Sequence, residues 1–80
     1  SSKLVVAIIQ IVTKKVNDKL ELFEKKHKQS FSDFELSIKN SDHENFERWD
    51  DYIEWKAYQK SLIDLNNNIR EIENGRFEVA

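Results

Sequence analysis

Six large apolar side chains, Trp55, Tyr58, Leu62, Leu65, Ile69 and Ile72, stand at alternating steps of three and four residues. That spacing is the a/d row of a heptad, which lines one face of an α-helix and fits no strand. The C-terminal half is therefore expected to be one helix over about residues 42–73. At about 1.5 Å rise per residue it extends roughly 45 Å, whereas a compact monomer of this length has a radius of gyration near 12 Å and a diameter of about 30 Å. On this reading the row outruns its own domain. Another helix, another copy or another protein must cover it.

One glycine, no proline and 35% charged residues suit a helical chain, since sheets with many tight turns use more Gly and Pro. The expected fold is all-α: two long helices joined by a short capped helix, arranged as a hairpin or coiled-coil-like assembly within one domain over residues 1–80. In so short a chain one core supplies only about 3–5 kcal/mol, so help from oligomerisation or a partner is common. Without cysteine there is no disulfide framework and no thiolate metal ligand, and a reducing compartment is permitted.

Leu4 to Val12 (LVVAIIQIV) is almost wholly apolar and, taken alone, fits a buried helix or a strand. It is too short to span a bilayer, which takes about twenty residues, and no small-residue cleavage site follows it. Its place directly behind Ser1-Ser2 points to preceding sequence. Val5, Ile9, Val12, Val16, Leu20 and Phe23 continue the run at helical spacing, and Glu21/Lys25 and Glu24/Lys28 are favourable i,i+4 pairs. Helix 1 is thus expected over about residues 3–27. Leu4, Ile8 and Ile11 widen its apolar surface beyond what one neighbour covers. Self-association is expected through Val5, Ile8, Ile9 and Val12 together with Leu62, Leu65, Ile69 and Ile72.

Phe31-Ser-Asp-Phe-Glu-Leu36 combines a capping box, Ser32 with Glu35, and a hydrophobic staple, Phe31 with Leu36. It predicts a short helix over about residues 33–39. Ser41 and Glu44 form a second capping box that opens the long helix. Phe46, Trp49 and Ile53 then carry a first apolar face before the stripe shifts to the row that begins at Trp55, which implies two neighbours, helices 1 and 2 on one side and something external on the other. Asn66-Asn67-Asn68 weakens the helix locally. Asn74-Gly75 marks its end, with glycine in the position that favours a left-handed turn. Arg76 to Val79 alternates at strand period and reads as an extended tail that needs a partner edge.

Catalytic, cofactor and metal residues are not expected. His43 and Glu47 could supply two metal ligands, but a site needs three or four. Carboxylates are plentiful, yet acid–base catalysis needs a pocket that shifts their pKa values. No phosphate loop, nucleophile motif or zinc-protease motif occurs.

Charge is unevenly placed. Lys14 to Lys28 holds six lysines against Asp18, Glu21 and Glu24, while Asp42 to Glu54 holds six acids against Arg48. The lysine-rich stretch would tolerate phosphates, but the interleaved acids, the net charge of −2 and the lack of a helix-turn-helix spacing argue against nucleic acid. The acidic stretch suits a basic protein partner or head-to-tail pairing. Within it and beyond run Trp49, Tyr52, Trp55 and Tyr58. Aromatics at helical spacing are core in most helices, and aromatics rimmed by carboxylates are also the anchors of protein interfaces. Both readings stay open.

With these residues in view, the chain resembles a group of small helical proteins of cyanobacteria and archaea that are similar to type II antitoxins. The likeness covers about residues 14–79. It runs through Leu20-Glu-Leu-Phe-Glu-Lys-Lys-His27, Ser30-Phe-Ser-Asp-Phe-Glu35, Trp49-Asp-Asp-Tyr-Ile-Glu-Trp-Lys-Ala-Tyr58 and Ile72-Glu-Asn-Gly-Arg-Phe-Glu-Val79. It departs at Asn40-Ser41, where the group often has glycine, and Leu4 to Val12 has no counterpart. The resemblance implies a cytoplasmic, non-enzymatic protein that neutralises a toxin encoded beside it. A compatible mechanism places Asp50, Asp51 and Glu54 against a basic toxin, with Trp49, Tyr52, Trp55 and Tyr58 at the contact and Phe77 and Val79 adding an edge strand. The alternative expectation is a self-assembling helical module. No membrane partner and no cofactor are expected.

Overall fold

The computed structural model of the chain describes residues 2–40 and 45–75. Three α-helices follow one another, α1 (Ser2–His27), α2 (Phe31–Asn40) and α3 (Phe46–Glu73), with no strand among the described residues. The two long helices run antiparallel: Phe23 of α1 stacks on Trp55 near the start of α3, and Val6 of α1 shares a groove with Ile72 at its end. α2 packs on α3 at the end where α1 stops. The radius of gyration is 15.9 Å and the long dimension 49 Å. α3 therefore does not outrun its domain, because the whole molecule is as long as the helix and α1 lies beside it.

The row from Trp55 faces inward. Trp55 is fully buried, Ile72 is buried, and Tyr58, Leu62 and Leu65 pack against the core from its edge. The core itself consists of Val16, Leu20 and Phe23 of α1, Phe34 and Ile38 of α2, and Tyr52 and Trp55 of α3. Of the two stripes, the row from Trp55 is the one that α1 of the same chain covers, while Phe46 is 77% exposed and Ile53 61% exposed. On a helical wheel Phe46 and Ile53 lie opposite Trp55. Once α1 takes the longer row, it cannot take theirs.

The helix ends carry identifiable stop signals. Lys25, Lys26 and His27 occupy the last turn of α1, where cations oppose the helix dipole, and Lys28 turns the chain in the left-handed region at φ 55°. α2 is capped by Ser30, whose Oγ accepts from Asp33 N at 3.3 Å, not by Ser32. The start moves because Phe31 is drawn into the first turn by Tyr52, 5.9 Å away and 5° from parallel, and by the edge of Trp55 at 5.4 Å. The Phe31/Leu36 staple is not made, since Leu36 is 59% exposed. α3 begins behind Asn45, whose Oδ1 accepts from Arg48 N at 3.2 Å. The Ser41/Glu44 box lies outside the described residues. Asn66, Asn67 and Asn68 are exposed on an unbroken helix. At its end Asn74 N donates to Arg70 O and Gly75 N to Ile72 O, with Gly75 at φ +69° as the sequence requires.

Candidate protein-interaction surfaces

Around Trp55 the three helices are joined by rings. Phe23 and Phe34 stack on it, Phe31 meets it edge-on, and the His27 imidazole lies 4.2 Å from Phe34 and 5.9 Å from the indole. The indole Nε1 is buried without a hydrogen-bond partner, a defect that costs about 1–3 kcal/mol in general. Trp55 and Tyr52, both read from sequence as partner contacts, are thus buried in the core of this chain. Trp49 and Tyr58 are half-buried and pack against the same cluster.

Polar contacts close the rim of this core. Asp51 Oδ2 takes the Lys26 ammonium and the His27 Nε2, both at 2.8 Å, and Lys26 also reaches Glu47 at 3.2 Å. Burial works to raise the Asp51 pKa, but the hydrogen bonds and charges of Lys26 and His27 outweigh it and hold the carboxyl below its ordinary range. Hydrogen bonds to Asp51 and Glu47 raise Lys26 in turn. Tyr52 donates from its hydroxyl to Glu35 Oε2 at 2.7 Å, and that bond, opposed by desolvation and assisted by Lys39 and Lys56, lowers the Glu35 carboxyl. Arg48 donates to Ser37 Oγ and lies 5.4 Å over the Phe34 ring. Asp51 therefore joins α1 to α3, which leaves Asp50 and Glu54 as the exposed acids of the assigned set.

Two apolar strips remain on the outside. One is Phe46, Ile53 and the small Ala57 on α3, set among Glu47, Asp50 and Glu54. The other is Leu4, Ile8 and Ile11 on α1, 62%, 53% and 59% exposed, with Val12 at its edge. Of the residues assigned to self-association, Ile8 and Val12 lie in this outer strip, Val5, Ile9 and Ile69 are half-buried, and Leu62, Leu65 and Ile72 serve the hairpin's own interior. Phe77 and Val79 lie outside the described residues. Phe46 and Ile53 were not singled out as partner residues from sequence. Their i,i+7 relation, with Asp50 between them, was the signal available.

The concave surfaces are shallow and open. One groove lies between Lys3, Val6, Ala7 and Gln10 of α1 and Ile72 and Glu73 of α3, and another between Val16, Tyr58, Leu65 and Asn68. Among the described residues, no cluster of three or more His, Cys, Asp and Glu could hold a metal ion, and no helix is long and apolar enough to cross a membrane. His43 lies outside the described residues.

A family model matches residues 5–77, all of α2 and α3 and nearly all of α1. The chain belongs to the Uncharacterized protein MJ0235 family. No curated protein and no solved structure matches it. The match extends over the α3 strip, the aromatic core and the α1 strip apart from Leu4.

Proposed function

We propose that the chain is a non-enzymatic protein-interaction module that receives a basic partner on the outer face of α3. The observation that carries this reading is the pair Phe46 and Ile53, exposed two turns apart and bordered by Glu47, Asp50 and Glu54. A large apolar centre with a charged rim is the form in which a few residues supply most of an interface's binding energy. Asp50 and Glu54 make one edge of the strip negative, which favours partners rich in Lys and Arg along that edge and speeds their encounter at low salt.

The resemblance to type II antitoxins lends this reading its specific form: a partner encoded beside the gene, held in an inactive complex in the cytoplasm. In that form the contact moves from Trp55 and Tyr52 to Phe46 and Ile53, with Asp50 and Glu54 retained. Co-purification with the neighbouring gene products, for the wild type and for Phe46→Ala/Ile53→Ala, is the test. Loss of the complex in the double variant, at about 2 kcal/mol or more in affinity with the fold intact, is expected. A complex of unchanged affinity overturns the assignment.

A further inference from the structure

We propose that the groove between the first turns of α1 and the last turn of α3 is the seat of this chain's own Phe77, which lies outside the described residues, and that the stretch after Gly75 straps the open end of the hairpin. This is independent of the outer face of α3. Three observations carry it. The first is the burial of Ile72. Leu62, Leu65 and Ile69 share its row, stand nearer the three-helix end and are only half-buried, as expected of a row covered by one neighbouring helix. Ile72 stands in the last turn, apart from the aromatic cluster, and is nevertheless 8% exposed. Its neighbours on α1 do not close over it, since Val6 is half-buried and Lys3 and Ala7 are exposed. Ile72 therefore has a cover that α1 does not supply.

The second is reach. Gly75 N donates to Ile72 O, and Gly75 sits at φ +69°. That pattern is a helix stop in which an apolar residue just past the glycine commonly packs back on the last helical turns. Phe77 is the first apolar residue past Gly75. Two extended residues advance about 7 Å, and Ile72 lies only about 4.5 Å back along the helix axis, so the ring reaches the groove without strain.

The third is charge. Val6 and Ile72 form an apolar floor, with Lys3 on the α1 wall and Glu73 on the α3 wall. Neither Lys3 nor Glu73 makes an ion pair among the described residues. Phe77 is flanked by Arg76 and Glu78. A chain that leaves Gly75 on the α3 side and lays Phe77 on that floor brings Arg76 to Glu73 and Glu78 to Lys3, each charge beside its opposite.

Nuclear Overhauser spectra of the full chain read the contact: cross-peaks from the Phe77 ring to the methyls of Ile72 and Val6 are expected. Phe77→Ala should speed amide exchange over residues 69–73 several-fold and leave the amides near Trp55 at their wild-type rate. The chain has no cysteine, which allows a second measurement that keeps Phe77 in place. A disulfide needs Cα atoms within about 7 Å, so Ala7→Cys with Val79→Cys should close within one chain on mild oxidation, at 9.6 kDa. Glu71→Cys with Val79→Cys, on the exposed side of the same last turn, should stay reduced. Absent cross-peaks, unchanged exchange in Phe77→Ala or equal closure of the two cysteine pairs overturns the proposal. So does a disulfide that forms only between two chains, which would give the groove to a second copy.

Discussion

The rings of Phe23 and Trp55 lie 5.5 Å apart and 12° from parallel, and the contact ties the last turns of α1 to the first turns of α3. Trp55 has no exposed surface, and the rings of Phe23, His27, Phe31 and Phe34 pack around it. Truncation of a buried tryptophan costs about 3–5 kcal/mol, a large share of what an 80-residue helical chain can have. Trp55→Ala is therefore expected to lower the urea midpoint sharply or to leave the chain unfolded. An unchanged midpoint would place the indole outside the core.

Acid should weaken the fold through Asp51 and Glu35. Both carboxyls are held below their ordinary values in the folded chain, so each contributes stability that is present above about pH 4 and is lost as pH falls through its lowered value. Lys26 acts in the opposite range. Its raised value gives stability that is complete below the ordinary lysine pKa and disappears as pH rises through the folded one. Asp51→Asn is expected to flatten the acid limb of a stability–pH curve and to cost about 1 kcal/mol at neutral pH. Urea titrations across the pH range measure both.

Two serines compete as the cap of α2, and only one carries it. Ser30→Ala should cost about 1 kcal/mol, because it removes the acceptor for Asp33 N. Ser32→Ala, on an exposed helical position, should stay within about 0.5 kcal/mol of the wild type. Equal effects from the two would return the cap to an undecided state.

Lys28 adopts φ 55° at the end of α1, a region in which a Cβ is unfavourable and glycine is not. Lys28→Gly is expected to raise stability by about 0.5–1 kcal/mol, read as a higher thermal midpoint. A lower midpoint would mean that the lysine side chain contributes more than its backbone costs.

The helices were legible because their apolar residues keep a helical beat, and the end of α3 because Asn74-Gly75 is a strong stop. The direction in which each row faces was not. A heptad row looks the same whether its neighbour is α1 of the same chain or a helix of another, and Trp55 and Phe46 differ only in the angle that α1 happens to occupy. The cap of α2 was misplaced for a related reason. Ser30-Phe-Ser-Asp33 and Ser32-Asp-Phe-Glu35 are both capping boxes, and the choice between them rests on Phe31 finding Tyr52 and Trp55 across the fold. Tertiary contacts decided what local chemistry left open. The partner surface suffered most, since residues suited to an interface are suited equally to a core.

The largest fully buried side chains, Trp55, Phe34 and Ile38, all sit at the end where α2 packs on α3, and the opposite half of the hairpin is held, among the described residues, by two helices alone. Amide protons near Trp55 should exchange slowly and those of Leu4 to Ile11 quickly. The molecule is then a stiff handle with a compliant jaw. Whatever closes on the jaw must also quiet its motion, so docking there should show an unfavourable entropy of ordering and a slowing of exchange that spreads from the contact toward the handle.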